Sequence, residues 1–485
     1  MVAHGGASTY VAAVRTPGVS GYDLGFRSVR EEISGRELSV EGRFPDWLSG
    51  QYVRNGPGAF EAGGERVAHW FDGLAMLAGF SFGDGVTYTN RFLRTRAYRE
   101  AASGAPTAGA FAEPAGGVLG RLRALTAEPT DNANANVVRL GGRLAAITES
   151  PVAVAVDPGT LATERVVQFE DDVGAQHTTA HPARDARRGE LVGYGTRFGL
   201  RNRYELYRLP DGHTERELLG TVRVDEPAYM HDFALTERFA VLVEHPLTAA
   251  PIDFLRPEQG FIDAYEWQPE RGTRFLLLDR ATGDVIADPR VSSFFTFHCA
   301  NAFESGDEVV IDLVAYGDAS VLGGLYLADL DTSTPDASTG QLCRYRVPLD
   351  GGRVSTRTIA DVGIEFPRVS PAVGTEMEPH RYVYGQGSAD PDRAANELVK
   401  IDVETGEVWT WSEPGVYAGE PAFVPTPDAD REDDGVVLSV LLDVDAERSA
   451  LLALDGGSFQ ERARARTPHP LPFGFHGRYF PASGK

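Results

Sequence analysis

Glu397-Leu398-Val399-Lys400-Ile401-Asp402 is followed, after Val403, by the turn Glu404-Thr405-Gly406-Glu407 and then by Val408-Trp409-Thr410-Trp411. Two short runs rich in β-branched and aromatic residues flank a Gly-containing turn, which predicts an antiparallel hairpin. The same pattern recurs along the chain. Strand-like runs occur at Arg143–Ile147, Val152–Val156, Phe239–Glu244, Thr273–Leu278, Val309–Val314 and Val436–Leu442. Turn signals such as Asp157-Pro158-Gly159 and Ala281-Thr282-Gly283-Asp284 separate them. Amphipathic helical patterns are scarce, so the fold class is all-β. Many short strands with no break in composition argue for one closed architecture. A β-propeller leads, because radial repetition protects sheet edges. No repeat with a Trp-Asp blade signature is present, so periodicity leaves the blade count open.

The 485 residues carry 46 Lys plus Arg against 70 Asp plus Glu, a formal net charge of −24. Lys400 and Lys485 are the only lysines. An acid-rich, lysine-poor surface is expected of a salt-adapted protein, where salt screens self-repulsion. The plainer alternative is a GC-rich genome trading Lys for Arg. Either way, nucleic acid is disfavoured as a partner, because phosphate backbones need a basic face. Two cysteines, Cys299 and Cys343, make neither a disulfide framework nor a zinc site. Met1 to Arg15 lacks a cationic region followed by an apolar one, and no run of about 18 apolar residues occurs. A cytoplasmic protein without signal peptide or transmembrane helix is expected.

Two segments stand apart. Ala108 to Ala127 is small, Gly-rich and apolar, with Val118, Leu119, Leu122 and Leu125 at helical spacing. It reads either as a short helix on the core or as a lip touching membrane peripherally. The acid-rich run Asp428 to Asp434 reads as a solvated face.

Of eleven histidines, four stand in unusual company. His181 lies in Thr179-Ala180-His181-Pro182 and His231 in Tyr229-Met230-His231-Asp232-Phe233. His298 lies in Phe294-Phe295-Thr296-Phe297-His298-Cys299-Ala300-Asn301 and His476 in Pro472-Phe473-Gly474-Phe475-His476-Gly477. Burying imidazoles among apolar side chains is costly unless each nitrogen is satisfied. A metal satisfies one nitrogen and a carboxylate the other. No HExxH or short Cys/His spacing is present, which disfavours zincins and zinc fingers. Ligands scattered over many strands suit a metal on a propeller axis.

These four stretches resemble the iron-binding stretches of the carotenoid cleavage oxygenase family. Further similar stretches follow in the same order. They are Phe44-Pro45-Asp46-Trp47-Leu48-Ser49-Gly50, Arg54-Asn55-Gly56-Pro57-Gly58, His69-Trp70-Phe71-Asp72-Gly73, Asn90-Arg91-Phe92-Leu93-Arg94-Thr95, Thr130-Asp131-Asn132-Ala133-Asn134-Ala135-Asn136-Val137 and Glu432-Asp433-Asp434-Gly435. The resemblance runs from about Ser28 to Phe480. It implies one domain over 28–485 after an extension at 1–27. The implied domain is a seven-bladed β-propeller with a helical and loop cap over one Fe(II) per chain. It implies His181, His231, His298 and His476 as iron ligands. Glu149 in Thr148-Glu149-Ser150-Pro151, Glu365 in Glu365-Phe366-Pro367-Arg368 and Glu420 in Gly419-Glu420-Pro421 are implied as the carboxylates behind them. A dication with three ionised glutamates would leave the centre one negative charge in excess, which favours electron donation to O2. His177, four residues before His181, is excluded because the family position is the His before Pro. His69 is expected to hold structure or line a wall.

The implied reaction is addition of O2 across a polyene double bond, giving two carbonyl products. Gln51 to Arg94 and Thr130 to Glu149 resemble the animal-type branch. The expected substrate is therefore β-carotene or an apocarotenoid, and the expected products are retinal-type aldehydes. Ala135 falls where relatives often carry Thr or Val near the open iron position, and its small side chain implies more room there. Two alternatives remain. Stilbene cleavage is disfavoured because neither lysine falls in the early stretch where relatives of that type place one. A non-catalytic carotenoid-binding propeller would leave the seven His and Glu positions without a purpose.

Overall fold

A computed structural model describes residues 21–62, 64–104, 111–112, 129–167, 169, 171–255, 260–332, 340–388 and 395–482. The hairpin at 397–411 forms, with Leu398 opposite Trp411 and Ile401 opposite Val408. Asp402 makes its turn by accepting the backbone N–H groups of Glu404 (2.9 Å) and Thr405 (3.1 Å) through its side chain. Gly406 supplies the left-handed residue at φ 76°.

Seven antiparallel sheets of four to six strands follow one another around a ring. From the axis outward, blade 2 runs Asn136–Leu140, Arg143–Ile147, Ala153–Val156 and Thr163–Val167. Blade 3 begins with two short pieces, His177–Thr178 and Ala183–Asp185. Blades 4, 5 and 6 begin with Ala234–Leu235, Cys299–Ser305 and Glu365–Arg368. Blade 7 begins with the split pair Val416–Ala418 and Ala422–Pro425. The ring closes from both ends of the chain. Gly477–Pro481 is the inner strand of blade 1, with Val53 opposite Arg478. Ser39–Gly42 is the outer strand of blade 7, with Ser39 opposite Arg466.

The strands read as near-continuous apolar runs because both faces of each blade are buried. In Phe239–Glu244, Phe239, Val241 and Val243 pack towards blade 5, while Ala240 and Leu242 pack towards blade 3. This is the two-residue period of a strand pressed between two neighbours. Each fully buried Val, Leu or Phe contributes about 1.5–3 kcal/mol. Helices among the described residues are short and lie in the loops. Asp72 accepts the N–H groups of Phe111 (2.5 Å) and Ala112 (3.1 Å), and the His69 ring contacts the Leu322 carbonyl at 3.2 Å, which ties these loops together. Apart from Phe111 and Ala112, the segment Ala108–Ala127 lies outside the described residues. Both cysteines are free thiols. Tyr22 and Phe26, N-terminal to the expected domain start, pack on Phe473.

The acid-rich run departs from its reading as a solvated face. Asp428 and Asp430 are exposed, but Asp433 is buried. It pairs at 2.8 Å with Lys400, which is 1 % exposed. Lys400 also donates to the carbonyls of Gly456 (2.8 Å) and Gly457 (3.1 Å) and lies over the Tyr382 ring. A buried ammonium needs a carboxylate, and Asp433 of the next blade supplies it. Removing one partner of a buried ion pair strands the other. Lys400→Ala is therefore predicted to cost about 3–5 kcal/mol in denaturant unfolding. A loss of less than about 1 kcal/mol, the value of an exposed pair, would contradict this account.

Candidate metal centre

One candidate site residue comes from each of the seven blades. His231, His298 and His476 each lie one to three residues before the inner strand of blades 4, 5 and 1. His181 sits in the break between the two inner pieces of blade 3, where it is free of strand pairing. Glu149 follows the second strand of blade 2, Glu365 starts blade 6, and Glu420 occupies the break in blade 7. Inner strands converge on the axis, so the loops at one end deliver seven side chains to one place.

One nitrogen from each of the four imidazoles lies within 4.8 Å of every other. His181 Nε2 and His231 Nε2 are 3.0 Å apart. The His181 ring is 4.7, 5.0 and 4.3 Å from those of His231, His298 and His476, while His231 and His476 are 6.4 Å apart. His298 lies 5.0, 5.1 and 5.0 Å from the other three rings, so His181 and His298 both bridge the wider His231–His476 pair. His298 Nε2 is buried with no hydrogen-bond partner. His177 lies outside the quartet, with its ring stacked on Tyr229 at 5.7 Å. His69 caps a short helix through Nδ1, which accepts the Phe71 N–H at 3.1 Å.

Three rings are held from behind by carboxylates. His231 Nδ1 donates to Glu149 at 2.6 Å, His298 Nδ1 to Glu365 at 2.6 Å and His476 Nδ1 to Glu420 at 2.8 Å. Among the described residues no carboxylate pairs with His181. An Nδ1 proton committed to a carboxylate leaves the Nε2 lone pair free and aimed at the axis. Four neutral nitrogen donors, one of them an orphaned buried nitrogen, fit a divalent first-row metal such as iron.

The sequence reading missed the partners of the carboxylates. Tyr229 donates to both oxygens of Glu149 at 3.1 and 3.2 Å. Tyr316 donates to Glu365 at 2.9 Å. Glu420 accepts the Gly477 N–H at 2.6 Å and two nitrogens of Arg368 at 2.8 and 2.6 Å. Tyr229 and Arg368 lie within the motifs that point to the site, and their position there was the only available signal. Gly477 has a structural reason, since a Cβ there would meet the Tyr52 hydroxyl at 2.1 Å. Phe366 adopts a left-handed φ of 50°, and its N–H donates to Glu365. A non-glycine residue held there costs of order 1–3 kcal/mol. The Phe366 ring lies 5.2 Å from His298 and 5.3 Å from His476.

Burial, then the neighbouring rings of His476, His231 and His298, holds the His181 imidazole well below its ordinary range. Burial brings His476 to about 3 against the pull of Glu420, and it brings His245 to about 3 and His69 to about 4. At His231 the Glu149 carboxylate outweighs burial and raises the value. Burial pushes Glu420 up, but Arg368 and then His476 bring it to about 2. Between the ordinary imidazole value of 6.5 and these lowered values, the folded protein binds fewer protons than the unfolded chain. Stability is then lost as pH falls. The metal-free protein is predicted to unfold at lower denaturant concentration at pH 5 than at pH 7. A midpoint that stays level or rises would contradict the burial of these rings as neutral groups.

A sequence profile of the family described as retinal pigment epithelial membrane protein matches residues 26–481. The chain is 35% identical to carotenoid cleavage dioxygenase 8 homolog A of Oryza sativa, covering 94% of this chain and 87% of that protein. It is 31% identical to the carotenoid isomerooxygenase of Galleria mellonella, covering 94% and 96%. An apocarotenoid oxygenase structure from Synechocystis superposes with a TM-score of 0.83 at 28% identity, covering 95% of this chain and 98% of that one. A cobalt-substituted form of that oxygenase superposes with a TM-score of 0.82. The seven-bladed ring, the axial histidine quartet and these matches together make the chain a member of the retinal pigment epithelial membrane protein family.

Proposed function

We propose that the protein is an Fe(II)-dependent dioxygenase that cleaves one C=C bond of β-carotene or an apocarotenoid and releases retinal-type aldehydes. The observation that carries this reading is the convergence of four imidazole nitrogens at one end of a continuous row of aromatic rings. The row starts at Phe297, 5.6 Å from His231, and passes through Phe71, Phe111, Phe261, Phe254 and Phe198 in steps of 4.9 to 6.5 Å. An extended conjugated hydrocarbon is matched by such a surface.

His181, His231, His298 and His476 would hold the iron. Glu149, Glu365 and Glu420 would keep three of the rings in the ligating tautomer. Iron, when bound, supplies the one-electron chemistry that O2 needs in order to react with a closed-shell polyene. The aromatic row orients the chain and excludes water. O2 is consumed, the double bond breaks, and each half leaves as a carbonyl compound.

At the outer end of the row, Leu200 and Ile252 are exposed apolar residues close in sequence to Phe198 and Phe254. They support peripheral contact with a membrane that stores the substrate. No helix among the described residues is long and apolar enough to cross one. The stilbene alternative gains no support. Among the described residues the only lysine, Lys400, is locked to Asp433 between blades 6 and 7.

Incubation of the ferrous protein with β-carotene and, separately, with an apocarotenal should yield aldehydes of retinal length. Turnover of a phenolic stilbene with neither polyene cleaved would overturn the substrate assignment. Ala135 lies next to the centre, its carbonyl accepting the His476 N–H at 3.1 Å. Ala135→Thr is predicted to raise KM for O2 while leaving KM for the polyene in place. An unchanged oxygen dependence would remove the special role of this small residue.

A further inference from the structure

The three carboxylates behind the imidazoles are not equivalent. Glu149 and Glu365 take their second partner from neutral phenols, Tyr229 and Tyr316. Glu420 takes a guanidinium. Arg368 Nε lies 2.8 Å and a terminal nitrogen 2.6 Å from Glu420 Oε1, the oxygen that also accepts His476 Nδ1 at 2.8 Å. The same terminal nitrogen is 3.4 Å from His476 Nδ1. Both of these nitrogens carry protons, so they meet through the shared oxygen and do not bond to each other. The Glu420 side chain is 1 % exposed and that of Arg368 is 27 %.

The placement is built into one four-residue strand. Glu365–Arg368 sends Glu365 to His298 and Arg368 to the carboxylate behind His476. A register shift between Glu365 and Arg368 and the left-handed Phe366 between them turn both side chains to the axis.

Counted without metal, three carboxylates and one guanidinium leave the bonded shell with two negative charges. That matches a divalent ion. A trivalent ion would leave a buried positive charge uncompensated, which is unfavourable at low dielectric. We propose that Arg368 is a positioning residue that fixes the charge of this centre, so that the site holds ferrous iron in preference to ferric iron. This replaces the expected excess negative charge with a neutral ferrous centre, and it rests on the iron assignment above. Arg54 and Arg478 also feel Glu420, and Asp232 lies beside His231, but among the described residues none of them bonds to the three carboxylates.

The test is the ferric/ferrous midpoint potential of the full chain, read by redox titration with the ferric signal monitored spectroscopically. Wild type, R368K, R368Q and the double variant R368Q/E420Q are compared. R368Q should favour ferric iron by about tenfold or more, roughly 59 mV to lower potential for a one-electron couple. R368K, which keeps the charge, should stay within about threefold of wild type. The double variant, which restores two negative charges, should return towards wild type, and it serves as the reporter if R368Q alone does not fold. A potential unchanged in R368Q, shifted equally in R368K, or displaced further in the double variant overturns the charge role. Wild-type protein that binds no iron overturns the iron assignment, and the charge role with it.

Discussion

Four imidazoles that each bring one nitrogen to within 4.8 Å of the others inside a protein are the constraint on which this structure turns. Each ring would be better solvated in water, and burial beside the others holds His181 and His476 below their ordinary range. The arrangement persists because the fold over-determines it. Three rings are pinned by carboxylates, and those carboxylates are pinned in turn by Tyr229, Tyr316 and Arg368. A divalent ion on the axis would satisfy the remaining nitrogens at once.

The propeller is the natural solution to this problem. Seven sheets meeting at an axis bring seven separate loops to one point, and the breaks in the inner strands of blades 3 and 7 free His181 and Glu420 from ladder pairing. Rigidity comes from the apolar layers shared by adjacent blades and from ties such as Lys400 to Asp433. The ring must also be closed, and here both chain ends contribute a strand. Geometry at the centre therefore depends on contacts made far from it in sequence.

That dependence decides what the sequence could reveal. Strands such as Phe239–Glu244 and the hairpin at 397–411 were legible, since runs buried on both faces and Asp/Gly turns are local signals. The four histidines stood out through their motif contexts, while the three glutamates came only through the resemblance; the structure brings all seven side chains together. The blade count came from the resemblance, because no local pattern marks a blade. Tyr316, 49 residues from Glu365, and Arg368, 52 residues from Glu420, were read without a role, because only convergence on the axis pairs them. Asp433 was misread for the same reason, since its cation lies in another blade.

The central claim is that the quartet is a metal site and that its carboxylates support it. The most direct measurement is metal content after anaerobic loading with ferrous iron and desalting, for wild type and for His231→Ala. The account predicts close to one iron per chain in wild type and a large loss in the variant, with the fold retained. No bound iron in wild type, or equal iron in both proteins, would contradict it.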